Sequence, residues 1–250
     1  MTTKKMISLP ERLNTTASLR AGAVLAPPPR CWWHDGLAMQ QRLPSLLEHP
    51  IAFAHRGGKA HAPENTIEAF TLGLRLGATG IESDVWLTRD GVPVLDHDGE
   101  IRVRLSKKRI PDLRRDQLPS YIPTLEEMLA ACGTQFHLSL DLKGANVGRA
   151  VLDVVASVAP DLLPRLWLCE PVYTDLLPLR DHLDGAKLVD STRLHRIKEG
   201  LERRVATLAD LGIAALNMHH TDWNGGLVSL CHRFGIAAIA WDLQFRSEER

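Results

Sequence analysis

From Ile51 onward, short apolar runs alternate with amphipathic stretches, and no other feature of the chain limits its fold as strongly. Parallel strands cannot be joined by a tight turn, so strands that recur between helices call for a parallel sheet with helices on its face. The pattern excludes a helical bundle and a β-sandwich. The strand candidates are Ile51–His55, Gly80–Val85, Pro93–His97, Phe136–Leu142, Leu166–Glu170, Ala186–Asp190, Ala214–Met218 and Ala237–Leu243. Helices fit Thr66–Leu76, Thr124–Ala131, Gly148–Ala159, Lys198–Leu211 and Gly226–Phe234. In the first of these, Ile67, Phe70 and Leu74 recur at the spacing of one helical face, and Asn65 or Thr66 stands where a cap belongs. The 250 residues are about the size of one (β/α)8 TIM-type barrel.

Residues 1–38 lack a sustained period and carry the triple proline Pro27-Pro28-Pro29, so they read as an N-terminal arm ahead of a barrel domain over 39–250. The adjacent Trp32 and Trp33 fit either a clamp onto the barrel or a partner, or a poorly ordered start preceding Met39. Lys plus Arg equals Asp plus Glu at 30 each, so no global field draws in nucleic acid, and any affinity for an anion must be local. The four cysteines are widely spaced and read as reduced thiols. There is neither a secretory h-region nor an apolar run of about 20 residues, so the expectation is a cytoplasmic protein without an integral membrane segment.

The polar residues fall in an informative place. His55, Glu82, Asp84, His97, Asp141 and Lys143 each lie at or just past the C-terminal end of a strand candidate, which in a barrel of this kind is the active rim. Glu82 and Asp84 are two residues apart, so one strand turns both to the same face, and Asp141 with Lys143 repeats the arrangement. Carboxylates so close repel unless a cation lies between them. Three oxygen donors suit a hard ion, Mg²⁺ or Ca²⁺, and the absence of paired Cys or HExxH argues against zinc. His55 and His97 suit a general base and a general acid. Arg56 can hold a phosphate oxygen through its forked donors, and Gly57 and Gly58 would let the backbone approach that group. A glycoside hydrolase also places two carboxylates at a barrel rim, but Glu82 and Asp84 are too close to flank a scissile bond. His219 and His220, with no metal partner at helical spacing, read as structural.

The ordered segments His55-Arg-Gly-Gly, Pro63-Glu-Asn-Thr, Glu82-Ser-Asp-Val, His97-Asp and Asp141-Leu-Lys resemble the glycerophosphodiester phosphodiesterase family over about residues 50–245. The resemblance implies hydrolysis of a small glycerophosphodiester to sn-glycerol 3-phosphate and an alcohol, with one divalent metal on Glu82, Asp84 and Asp141. It implies that His55 activates the glycerol 2-hydroxyl, His97 protonates the departing alcohol, and a cyclic phosphate is then opened by water. Arg56 and Lys143 would steady the phosphoryl oxygens, and Trp241 would line the glycerol site unless it is ordinary core packing. A phospholipase D-like enzyme on a lysolipid and a non-catalytic phosphodiester binder are the alternatives, and a homo-oligomer is compatible with either.

Three departures from the family pattern stand out. Asp occupies position 141 where Glu is common, and Cys169-Glu170 replaces a frequent Ser-Phe, making Glu170 either an extra polar group near the substrate or a surface acid. The usual closing segment is also absent. Either Ala186–Asp190 is no barrel strand and the last strand is missing, or eight strands close the barrel without its final helix.

Overall fold

The computed structural model describes residues 46–103 and 106–241. The arm expected over 1–38 therefore lies outside the described residues. The chain enters on β1 (Phe53–His55) and passes through α1 (Ile67–Arg75) into the long β2 (Gly80–Leu87). Thr66 caps α1, its Oγ1 accepting from the Ala69 N–H at 3.2 Å, while Glu68 in the first turn and Arg75 in the last complement the helix dipole.

The next element departs from the sequence expectation. Pro93–His97 does not become a parallel barrel strand; β3 (Pro93–Leu95) folds back antiparallel on β2, pairing Val85 with Leu95 and Leu87 with Pro93. The five residues 88–92 are too few for a parallel crossover, and Asp90-Gly91 is a hairpin signal, with Gly91 at φ +81°. The Thr88 hydroxyl donates to Asp90 Oδ1 at 2.7 Å and accepts from the Val92 N–H, which closes the turn. A second hairpin, β4 (Glu100–Val103) with β5 (Ser106–Arg109), follows where sequence periodicity assigns nothing. It leads into 3₁₀ turns over a small apolar cluster of Val94, Ile101, Ile110, Leu113, Leu118 and Ile122.

Regular alternation then resumes. The order is α2 (Leu125–Cys132), β6 (His137–Leu142), α3 (Val147–Val158), β7 (Leu166–Glu170), β8 (Lys187–Thr192), α4 (Leu201–Asp210), β9 (Ala215–His219), α5 (Gly225–Arg233) and β10 (Ala237–Trp241). Thr124 and Glu127 form a reciprocal capping box at α2. The stretch between β7 and β8, Tyr173–His182, is 3₁₀ rather than α-helical.

The parallel strands run β1-β2-β6-β7-β8-β9-β10, seven in all among the described residues, with β1 and β10 at the two ends of the hydrogen-bonded order. Ala186–Asp190 does contribute a barrel strand, as β8, so the first of the two expected arrangements of the C-terminal end does not hold; nor does the second, because the eighth candidate is the antiparallel β3. The sheet curls as an incomplete (β/α)8-type barrel. Ile51 and Phe53 by β1, and Ala237 and Ile239 on β10, pack against one interior cluster of Trp167, Cys169, Val189 and Ala215.

Strand parity sorts the two faces. Leu138, Leu140 and Leu142 turn outward into the helix-covered core with Leu166, Leu168, Leu188 and Leu216, while Ser139 and Asp141 share the opposite face. Each fully buried leucine contributes about 1.5–3 kcal/mol, so slipping β6 by one residue would exchange its leucine row for Ser139 and Asp141. Among the described residues no helix is long and apolar enough to cross a membrane, and Cys132, Cys169 and Cys231 are free thiols.

Candidate active site

Parallel register brings the rim residues together. His55 on β1 pairs with Glu82 on β2, Glu82 with Ser139, and Asp84 with Asp141 on β6, so all of these side chains leave the same face of adjacent strands. Carboxylate oxygens of Glu82, Asp84 and Asp141 lie within 4.8 Å of one another. Lys143, just past β6, sets its Nζ 2.8 Å from Asp84 Oδ1 and 3.4 Å from Asp141 Oδ2.

The electrostatics of this cluster are those of excess negative charge in a partly buried place. Burial, then the charges of Asp141 and Asp84, push the Glu82 carboxyl up to about 8, against a 3.0 Å hydrogen bond from the Arg56 N–H. Burial likewise raises Asp141, and Asp84 adds to the rise, while Lys143 opposes it. Burial alone would lower the Lys143 ammonium, but Asp141 and Asp84 outweigh it and hold it above its usual range. Asp84 Oδ2 is buried without a hydrogen-bond partner. One ammonium among three carboxylates, with a carboxylate oxygen left over, fits a site that takes a hard cation through oxygen.

Around this centre the histidines and the arginine are held by neighbours. Lys59 Nζ lies 2.9 Å from His55 Nδ1; an ammonium can only donate, so Nδ1 accepts and the ring proton sits on Nε2, which is 3.7 Å from Glu82 Oε2. His97 Nδ1 lies 2.7 Å from Asp98 Oδ1, so Nδ1 donates and Nε2 is left to exchange a proton at the rim. The turn bearing His97 is fixed to β2, the Asp96 N–H donating to the Asp84 carbonyl and Asp96 Oδ2 accepting from the Gly99 N–H. Arg56 Nη1 donates to both oxygens of Glu64 at 3.0 and 3.1 Å, and Arg56 Nε stands 3.8 Å from Asp84 Oδ2.

Glu64 and Asn65 belong to the Pro63-Glu-Asn-Thr segment, yet sequence reading gives them no role beyond the cap. In the fold Glu64 aims Arg56. Asn65, buried, accepts from the Ser83 hydroxyl through Oδ1 and donates its N–H to the Arg56 carbonyl. Arg56 and Asn65 both adopt left-handed backbone, at φ +54° and +56°, a conformation that costs a non-glycine residue roughly 1–2 kcal/mol. The strain lies where the loop after β1 turns Arg56 toward the carboxylates.

Two sequence expectations change here. Gly57 and Gly58 serve α1 rather than an approaching phosphate: a Cβ on Gly57 would meet the Ala69 backbone at 2.5 Å, and the Gly58 N–H already donates to the Ala69 carbonyl. Glu170 shares strand parity with Leu166 and Leu168 on the helix-facing side, where burial, then Asp175 and Asp141, push it up to about 7. Trp241, at the end of β10, meets His219 edge-on at 4.8 Å and has the Arg193 guanidinium 5.7 Å from its ring. His219 and His220 stack at 4.3 Å, and Arg193 bridges to Asp222 at 2.6 Å.

Residues 55–155 match the model of the Glycerophosphoryl diester phosphodiesterase family. Glycerophosphodiester phosphodiesterase 1 of Mus musculus is 36% identical over 138 residues, 47% of this chain and 41% of that protein. The Probable glycerophosphodiester phosphodiesterase 1 of Mycobacterium tuberculosis is 53% identical over 53 residues, 21% of this chain and 19% of that protein. The chain thus spans less than half the length of the curated relatives it matches. Among solved structures, the glycerophosphodiester phosphodiesterase of Thermotoga maritima superposes with a TM-score of 0.65 at 24% identity, covering 79% of this chain and 88% of that one. An Oleispira antarctica phosphodiesterase solved in complex with the product sn-glycerol-3-phosphate gives 0.66 at 24% identity, covering 78% and 85%.

Proposed function

We propose, from the premise that the chain belongs to the glycerophosphoryl diester phosphodiesterase family, that it hydrolyses glycerophosphodiesters to sn-glycerol 3-phosphate and an alcohol. The observation that carries this reading is the convergence of Glu82, Asp84 and Asp141 within 4.8 Å at a rim that also bears His55, His97, Arg56 and Lys143. Glu82, Asp84 and Asp141 would hold one divalent ion, Mg²⁺ or Ca²⁺, whose chemistry when bound is Lewis-acid polarisation of the phosphoryl oxygens.

The chain's own residues account for the remaining roles. Arg56, aimed by Glu64, and Lys143 place positive charge where phosphoryl oxygens gain negative charge. His55 takes the proton of the glycerol 2-hydroxyl as that oxygen attacks phosphorus; this requires Lys59 to release Nδ1. His97, oriented by Asp98, delivers a proton to the leaving oxygen through Nε2. Water then opens the cyclic phosphate with the two histidines in exchanged roles. Trp241 would offer an apolar wall to the glycerol carbons.

The test is release of sn-glycerol 3-phosphate from glycerophosphodiesters with Mg²⁺, with Ca²⁺ and with excess chelator, for wild type and His55→Ala. Cation-dependent release that falls by about 10²–10⁴-fold in His55→Ala, with the melting temperature unchanged, supports the proposal. Release that is indifferent to both chelator and His55 refutes it.

A further inference from the structure

The hydrolysis proposed above needs a place for the alcohol that leaves, and the two sides of the rim differ. On one side are His55 on β1 and Trp241 on β10, whose strands pack against the same interior cluster. On the other side is the His97 turn, whose Gly99 lies so close to the Trp86 indole that a Cβ there would come within 2.4 Å of it. An acid at His97 must face the leaving oxygen, so the alcohol lies toward Trp86.

A cleft of about 450 Å³ opens there. Lys143, with its Nζ on Asp84, and Arg109 at the end of β5 line it together with the apolar Trp86, Leu87, Pro111 and Val147. This volume suits a headgroup the size of a small polyol. No carboxylate lines the cleft, and among the described residues no acidic side chain pairs with Arg109 within 4 Å. The Trp86 Nε1–H is a buried donor without a hydrogen-bond partner. One face of the indole is covered by Gly99, so it offers no open aromatic cage to a quaternary ammonium.

We propose that this cleft is the alcohol subsite and that Arg109 determines its specificity, favouring uncharged polyols and anionic alcohols over choline or ethanolamine. Resting on the hydrolase reading, the inference adds to it a substrate class. The Lys143 charge is already met by Asp84 and Asp141, whereas Arg109 has no carboxylate within 4 Å among the described residues, so it is the Arg109 charge that repels an ammonium headgroup and leaves hydroxyl or carboxylate oxygens welcome. The glycerophosphate half is common to all these substrates, so the ratio of their rates reports the alcohol end alone.

The experiment measures kcat/KM for sn-glycero-3-phosphoglycerol, -phosphoinositol, -phosphoserine, -phosphocholine and -phosphoethanolamine with the full chain in Mg²⁺. Wild type should favour phosphoglycerol over phosphocholine, and the preference should shrink as salt screens the cleft. Arg109→Glu reverses one charge in an open, high-dielectric site and should move the ratio toward choline by roughly tenfold, with Arg109→Gln between the two. An unchanged ratio in both variants, with turnover retained, overturns the subsite and leaves the hydrolase reading standing. No turnover of any of the five by folded, metal-supplied wild type overturns both.

Discussion

Metal binding at the carboxylate cluster should release a proton from Glu82. Its carboxyl is pushed from 4.5 up to about 8, first by burial and then by Asp141 and Asp84. Between these values the folded protein holds a proton that the unfolded chain has lost, so without a cation stability falls as pH rises through that window, by up to about 1.4 kcal/mol per pH unit. A divalent ion takes the proton's place. Its apparent affinity should therefore climb about tenfold per pH unit below pH 8 and level off above, with Asp141 adding to the release at the acid end. Titration calorimetry with Mg²⁺ or Ca²⁺ at pH 6, 7 and 8.5, in two buffers of different ionisation heat, counts the protons. The expected count is about one per ion at pH 6 and 7 and about a quarter at pH 8.5, and Glu82→Gln should remove the release while weakening binding. An affinity flat from pH 6 to 8.5, or equal release from Glu82→Gln, would refute the electrostatic account of this site.

Two further outcomes follow from the loop after β1. Glu64→Gln removes the charge that aims Arg56; because Glu64 is 44% exposed, the pair adds under about 1 kcal/mol to stability, whereas kcat/KM should fall about tenfold. Thermal melts alongside kinetics separate the two effects, and a loss of stability without a loss of rate would reassign Glu64 to the scaffold. Gly57→Ala combines φ +79° with a Cβ 2.5 Å from the Ala69 carbonyl carbon, and urea unfolding should show a loss of about 2–4 kcal/mol. A loss below about 1 kcal/mol would mean that α1 can move away from the loop.

How far the sequence could be read depended on the range of the interaction involved. Thr66, with helical spacing behind it, foretold α1, and Leu138-Ser-Leu-Asp-Leu foretold a strand with one apolar and one polar face, because both patterns are local periodicities. The same parity put Glu82 and Asp84 together. It could also have placed Glu170 among the outward leucines. The β2–β3 hairpin was legible too, in Asp90-Gly91 and a five-residue connection; weighing apolar runs above turn chemistry turns β3 into an eighth parallel strand. Nothing local marks the β4–β5 hairpin as a strand pair, since Ser106–Arg109 is exposed throughout and carries three basic residues in a row.

The sequence by itself determined the alternating α/β class, the strand-end rim and the identity of the charged groups, since each follows from side-chain period and chain order. Only the tertiary structure decided which of those groups meet. The parallel register sets Asp84 beside Asp141 across 57 positions of sequence, the loop after β1 gives Arg56 to Glu64, and Trp86 underlies the His97 turn. Those contacts depend on burial and strand pairing between distant segments, and the raised Glu82 carboxyl exists only once they have formed.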